Sequence, residues 1–256
     1  MIKGLYAAAS ALIANMTRQN VLSHTIANLD TAGFKRTMVT FDDYLSTAVV
    51  QPPANSALPK QMAYIGNLGL GVTTSPEITD FSQGSLRQTG QPLDFAIQGE
   101  GFFRVQTPQG ERYTRDGRFL RDAEGQLVTI DGYAVLDTNG QTITLPEGDL
   151  VALGDGTILV GSDQGATQVG QLGLVSFADP VNELSADLPN TYAANGDPGG
   201  EEVGTIAQGF LEMANASPAS LVTEMSLVAR AYEAAQQMVQ TQDELLGKAI
   251  ASLGQW

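Results

Sequence analysis

From Ser217 to Leu253 the only residues that disfavour a helix are Pro218, at the second position, and Gly247. Ser217 offers an N-cap oxygen, and the missing N–H of Pro218 costs nothing in a first turn, so one long helix is expected. Its apolar residues Leu221, Met225, Val228, Tyr232, Ala235, Val239, Leu246, Ile250 and Leu253 follow mostly alternating steps of four and three, with Gln242 as the polar exception. That spacing describes a coiled-coil seam. At about 1.5 Å per residue the helix is about 55 Å long, which outreaches a compact domain. Such a seam needs a partner.

The other end of the chain supplies a candidate. Between Gly4 and Leu29 the residues Leu5, Ala9, Leu12, Met16, Leu22, Ile26 and Leu29 recur at helical spacing, interrupted at Gln19. Asp30, Thr31 and Gly33 close this second amphipathic helix, because Gly accepts the left-handed conformation that ends one. Gln19 and Gln242 are expected to share a polar layer that sets the register, as a buried polar residue does in coiled coils.

The middle of the chain has a different texture. Gly110, Gly117, Gly125, Gly132, Gly140, Gly148 and Gly156 fall seven or eight residues apart, with short apolar runs such as Phe102–Val105 and Tyr133–Leu136 between them. Turn signals at that interval predict an antiparallel β meander. Residues 50–66 and 179–202, rich in Pro and Gly, read as irregular. The expected fold class is therefore α+β, with long N- and C-terminal helices forming a coiled-coil-like α domain and a central antiparallel β-rich domain. The expected organisation is an N-terminal helix of an axial core over 1–36, an extended connector over 37–83, a β-rich outer domain over 84–210 and a C-terminal helix of the core over 211–256.

Charge sharpens this picture. Residues 1–36 carry Lys3, Arg18, Lys35 and Arg36 against Asp30 (+3), and residues 217–256 four acids against two bases (−2), so the middle holds −16 of the overall −15. Weakly and oppositely charged ends suit each other, and an acidic middle suits solvent. A phosphate backbone needs a basic face, so nucleic acid is not an expected partner. The sequence shows no stretch of the length and apolarity that would insert into a membrane. Nor does the N-terminus have the pattern of a cleaved signal peptide.

Residues for chemistry are sparse. With no Cys and a single His, His24, neither a metal site nor a His-based nucleophile is supported. Asp116, Asp131 and Asp155 directly precede Gly, where turn chemistry accounts for them. Asp137–Gly140 and Gly154–Gly156 resemble fragments of calcium loops without the full ligand spacing. No cofactor or metal is expected, nor catalysis. Arg104, Arg112, Arg115, Arg118 and Arg121 form a basic cluster that reads equally as an anion site or as partners of nearby acids. A carboxylate-based hydrolase and a binding module with dimerising helices are the competing classes.

Three blocks of sequence resemble the axial proteins of the bacterial flagellum, most closely the basal-body rod proteins. The first holds Asn28, Thr31, Gly33, Phe34 and Lys35. The second runs from Gly84 to Gly117 and holds Gly90, Pro92, Leu93, Asp94, Gly101, Phe102, Phe103, Tyr113, Thr114 and Arg115. The third runs from Gly209–Glu212 through Asn215 to Arg230, Tyr232 and Glu233. The length and the Phe41–Leu45 continuation favour the distal-rod type over short rod proteins without a β body and over the longer hook protein, with a paralogous proximal-rod protein as the alternative.

The resemblance implies a structural subunit, not an enzyme. Terminal helices would pack antiparallel, identical copies would stack helically into a hollow shaft that transmits motor torque to the hook, and the β body would decorate the outside. Copies of itself, other rod and hook proteins and the flagellar type III export apparatus are the implied partners. Export would proceed from the cytoplasm to the basal body without a cleaved signal peptide. The expected subunit interface is Leu5, Leu12, Met16, Leu22 and Ile26 on one helix, and Leu221, Met225, Val228, Tyr232, Val239, Leu246 and Ile250 on the other.

Overall fold

The computed structural model describes residues 2–43, 46–51, 63–162, 165–196, 198–199 and 204–253. Three helices are present among them: α1 (Ile2–Ala27), α2 (Pro180–Glu183) and α3 (Pro218–Leu253). The chain divides into two units. One contains Met1–Ile26, Thr37–Ile78 and Pro218–Trp256; the other contains Ala27–Arg36 and Thr79–Ser217.

In the first unit α1 and α3 run as the hydrophobic patterns require. Beside Glu224, the less exposed positions of α3 are Leu221, Met225, Val228, Tyr232, Ala235, Val239, Gln242, Leu246 and Ala249, which alternate in steps of four and three. The seam thus passes through Ala249, and Ile250 is 70 % exposed. On α1 the corresponding line runs through Leu5, Ala8, Leu12, Asn15, Gln19, Leu22 and Ile26. Met16, one residue off that line, is 57 % exposed.

Leu22, Thr25, Leu221 and Val228 are all buried. The Gln242 amide nitrogen lies 3.3 Å from where a Cβ on Gly4 would stand. Gln242 therefore meets Gly4. Gln19 stands about 22 Å further along α1 at about 1.5 Å per residue, so the expected Gln19–Gln242 layer does not form.

The described residues between 37 and 78 form paired strands. Phe41–Asp43 pairs antiparallel with Val72–Thr74, and Ser46–Gln51 with Ala63–Gly69. Residues 52–62, with Pro52, Pro53 and Pro59, lie outside the described residues.

The second unit is the β body. Its eight-stranded sheet orders Phe119–Arg121, Leu127–Thr129, Ala134–Val135, Phe102–Thr107, Gly110–Thr114, Thr191–Ala194 and Leu184–Leu188, with Leu174–Val175 also on Phe102–Thr107. Its strands pair antiparallel, as the Gly-punctuated meander requires. Residues 184–194, expected to be loop, extend the sheet. Pro189–Asn190 make the turn between two strands, and Asn190 takes the left-handed conformation (φ 59) that Asn tolerates better than most residues.

Successive side chains on a strand face opposite ways, so Phe102 and Phe103 enter different cores. Phe103 joins Phe95, Val105, Phe119, Leu127 and Ile158 on one side. Phe102 joins Tyr113, Phe177, Leu184 and Tyr192 on the other, where rings meet edge to face.

The first strands of this unit pair with its last. Phe95–Gln98 takes Thr205–Gln208, and Leu86–Gln88 takes Phe210–Glu212. The body is closed by contacts more than a hundred residues apart in sequence.

Gly247, within α3, has open space where a Cβ would stand. Gly247→Ala removes backbone entropy from the unfolded chain without a clash. It should stabilise the helix by about 0.5–1 kcal/mol, read as a higher melting midpoint by far-UV circular dichroism.

Candidate functional site

Within the β body three segments remote in sequence converge on one carboxylate. Glu212 ends the strand Phe210–Glu212, and its side chain is 1 % exposed. Its Oε1 accepts from Lys35 Nζ at 2.7 Å and from the Gly84 N–H at 2.8 Å, while Oε2 accepts from Arg115 Nη1 at 3.1 Å. Lys35 Nζ also donates to the Ser82 carbonyl at 2.8 Å, and Arg115 Nη2 to the Gly99 carbonyl at 3.0 Å. The Arg115 guanidinium lies 5.1 Å from the centre of the Phe102 ring. A buried carboxylate is tolerable because each of its oxygens accepts from a cation.

Backbone geometry lets the segments approach. Gly33 has φ 70, and a Cβ there would lie 2.4 Å from backbone atoms of Arg115 and Asp116; its N–H donates to the Glu212 carbonyl at 2.7 Å. At Gly84 a Cβ would lie 1.9 Å from the Met213 carbonyl oxygen. Only glycine fits these two places. The turn that holds Gly33 begins at Asn28, with Thr31 N–H on the Asn28 carbonyl. This explains why α1 stops at Ala27, short of Leu29: the next residues are drawn into a tertiary contact.

Two asparagines complete the junction. Asn215 Oδ1 accepts from the Arg36 N–H at 2.7 Å, and its Nδ2 donates to the Asp80 carbonyl at 2.7 Å. Asn190 Nδ2 donates to the Ala32 carbonyl at 2.7 Å and to Asp116 Oδ2 at 3.2 Å. Thr114 Oγ1 donates to the Asn190 carbonyl at 2.7 Å.

Electrostatics follow from burial. Desolvation holds the Lys35 ammonium below its ordinary pKa, opposed by the charge of Glu212. Arg115 is displaced downward for the same reason, again opposed by Glu212. Burial pushes the Tyr192 phenol well above its ordinary range, with Arg115 pulling the other way.

The motif residues divide clearly. Gly33, Lys35, Arg115 and Asn215 meet at the junction, with Phe34 buried beside them in sequence. Asn28 and Thr31 form the turn before it, and Thr114 anchors Asn190. Gly90 bonds the Gly209 carbonyl, the Asp94 carbonyl accepts from the Gly209 N–H, and Leu93 packs on the core below Pro92. Gly101, Phe102, Phe103 and Tyr113 build the sheet and its two faces. Arg230 and Glu233 lie exposed on α3 and take no part, and Tyr232 belongs to the helical seam.

Of the helical residues expected at an interface, Leu22, Leu221 and Val228 are buried. Leu5, Leu12, Ile26, Met225, Tyr232, Val239 and Leu246 are half-buried. Four arginines of the cluster form ion pairs, Arg104 with Glu111, Arg112 with Asp187, Arg115 with Glu212 and Arg118 with Asp116, and the fifth, Arg121, is exposed at the end of its strand. The aspartates of the calcium-like fragments cap turns, Asp137 Oδ1 accepting from Asn139 and Gln141 and Asp155 Oδ1 from Thr157.

Glu212 and Gly84 stand in the motif blocks with no role given to either, and Asn190 was missed. The signal for Glu212 was an acid among the apolar residues Phe210, Leu211, Met213 and Ala214, on a strand due to be buried. Asn190 carried no such mark.

Comparison with known proteins covers both helices and the β body. Residues 5–35 match the family described as "Flagella basal body rod protein", residues 96–177 "Flagellar hook protein FlgE/F/G D1 domain", and residues 207–252 "Flagellar basal body rod FlgEFG protein C-terminal". The chain is 35 % identical to the flagellar basal-body rod protein FlgG of Bacillus subtilis, over 98 % of each chain. It is 33 % identical to FlgG of Agrobacterium fabrum, over 95 % of this chain and 97 % of that one. With the rod protein FlgF of Caulobacter vibrioides it shares 34 % identity over 99 % of both.

Two outcomes are expected from the junction. Glu212→Gln leaves two buried cations without their counter-charge and should destabilise the fold by about 3–5 kcal/mol in urea denaturation. Tyr192 gives a pH signature. A phenol in the unfolded chain ionises near pH 10, whereas burial makes the folded chain keep this proton. The contribution is therefore complete below about pH 10 and declines as pH rises beyond it. Lys35 acts with the opposite sign between its lowered pKa and 10.5, and does so in both proteins. Tyr192→Phe should accordingly lose stability less steeply above about pH 10 than the parent, measured by denaturant midpoints across alkaline pH.

Proposed function

Because the chain belongs to the flagellar basal-body rod family and is a structural subunit of the rod, we propose that it polymerises helically through its terminal helices into the shaft that transmits torque to the hook. One observation carries this reading. On α3 the residues Leu227, Ala231, Ala234, Met238, Thr241 and Leu245 are each the immediate predecessor of a seam residue and are all exposed. One residue is about 100° of rotation, so a second, mostly apolar stripe runs beside the first. On α1, Tyr6, Ile13 and Met16 each follow a seam position by one and are 57–69 % exposed.

A helix with one apolar stripe is satisfied by one neighbour; two stripes ask for two. The seam residues Leu5, Leu12, Leu22, Ile26, Leu221, Met225, Val228, Tyr232, Val239 and Leu246 join α1 to α3 in a coiled-coil manner. Met16 and Ile250 face the adjoining copies. A patch that meets a different patch on the next copy, with no closure, grows a filament. The distal-rod assignment rests on the length and on likeness to FlgG, beside a near-equal likeness to FlgF.

The remaining parts of the reading follow. The protein works without catalysis. Its partners are its own copies, neighbouring rod and hook proteins and the export apparatus through which it leaves the cytoplasm without losing a signal peptide. No helix is long and apolar enough to cross a membrane among the described residues.

Sedimentation and far-UV circular dichroism over a concentration series test the proposal. The parent should grow open-endedly with concentration. The double variant Leu227→Glu, Met238→Glu should keep the helicity of the dilute parent, since both sites are exposed, and should remain small. A parent that stops at a monomer or closed dimer, or a double variant that grows like the parent, would sink the reading.

A further inference from the structure

The junction carries an uneven charge. Lys35 and Arg115 are 1 % and 4 % exposed beside a single carboxylate that is also buried, so the buried groups hold one positive charge in excess. A low-dielectric interior penalises such an excess unless another anion approaches. The guanidinium also has a free donor. Nη1 is taken by Glu212 and Nη2 by the Gly99 carbonyl, whereas Nε is buried without a hydrogen-bond partner.

Arg115 lines a cleft of about 290 Å³ whose walls include Phe81, Phe102, Phe177, Pro180 and Val181. Phe102 and Phe177 are almost wholly buried and meet edge to face at 5.9 Å. Two other carboxylates act on the cluster from its margin. Glu100, in the cleft lining, is exposed and so screened by water. Asp80, on the Lys35 side, is engaged by the Ser82 N–H. Neither takes the free Nε–H. An apolar wall with one under-compensated cation selects for a ligand of matching polarity.

We propose that this cleft binds a carboxylate carried on an apolar body, the carboxylate at the Arg115 guanidinium and the body against the phenylalanine, Pro180 and Val181 walls. Nothing in the rod assignment requires such a site, and it stands or falls separately from polymerisation.

The full chain, kept dilute, is titrated with phenylacetate, its neutral isostere phenylacetamide and a capped Phe–Glu dipeptide, by calorimetry and by the Nε–H resonances of arginine. Phenylacetate should perturb one arginine Nε–H and bind at least about ten-fold more tightly than phenylacetamide, as loss of a charge-assisted hydrogen bond demands. Tighter binding of the dipeptide than of phenylacetate would assign the carboxylate to an acidic side chain of a partner protein; weaker binding would assign it to a small acid. Val181→Trp, at a residue 45 % exposed, should keep the far-UV spectrum and abolish binding by filling the cleft mouth. Equal affinity for acid and amide, unchanged binding to Val181→Trp, or no binding of phenylacetate at millimolar concentration would each overturn the proposal.

Discussion

The carboxylate of Glu212, shared between Lys35 and Arg115, is the interaction on which the β body depends. It joins a residue just after α1, one in the middle of the body and one just before α3, so that no two partners are neighbours in sequence. Hydrophobic side chains of similar volume could fill the same space at comparable stability. What they would lack is direction. Two cations, two glycine N–H groups and two asparagine amides fit together in one register only, and a slip of one residue would strand a buried charge.

The same logic explains the glycines around it. At Gly33 and Gly84 backbone from another segment occupies the space of a side chain. The body closes by pairing its first strands with its last, so contacts of long sequence separation must form together. In the helical unit the forces are of a different kind. There the interactions are apolar and repetitive, and each of α1 and α3 carries a second stripe displaced by one residue from its first. An isolated pair of helices can bury one stripe each, and a helical polymer can bury both.

Much of this was legible. The Ser217–Pro218 start, the alternation of four and three along α3 and the glycine interval of the meander all report local physics, and each element stands where they indicate. The errors also have physical causes. A step of three or four cannot distinguish position 15 from 16, or 249 from 250, so the line of less exposed positions passes beside Met16 and Ile250, which leaves both on an exposed face open to a neighbouring copy. Pro189 reads as a loop signal, yet it sits in a turn between two strands whose Tyr192 is buried. The arginines at 104, 112, 115 and 118 look like one patch in sequence, and their alternation and separation send them to four different acids.

The sequence by itself determined which segments are helical, which are strands and turns, and that the helices carry more apolar surface than a single packed pair needs, because periodicity and turn chemistry act over a few residues. Only the tertiary structure decided which acid lies between Lys35 and Arg115, that Gly4 and not Gln19 faces Gln242, and that an arginine donor is left free beside an apolar cleft. Those outcomes depend on contacts such as Lys35 with Glu212, 177 positions apart, and Gly4 with Gln242, further apart still, and no local pattern encodes them.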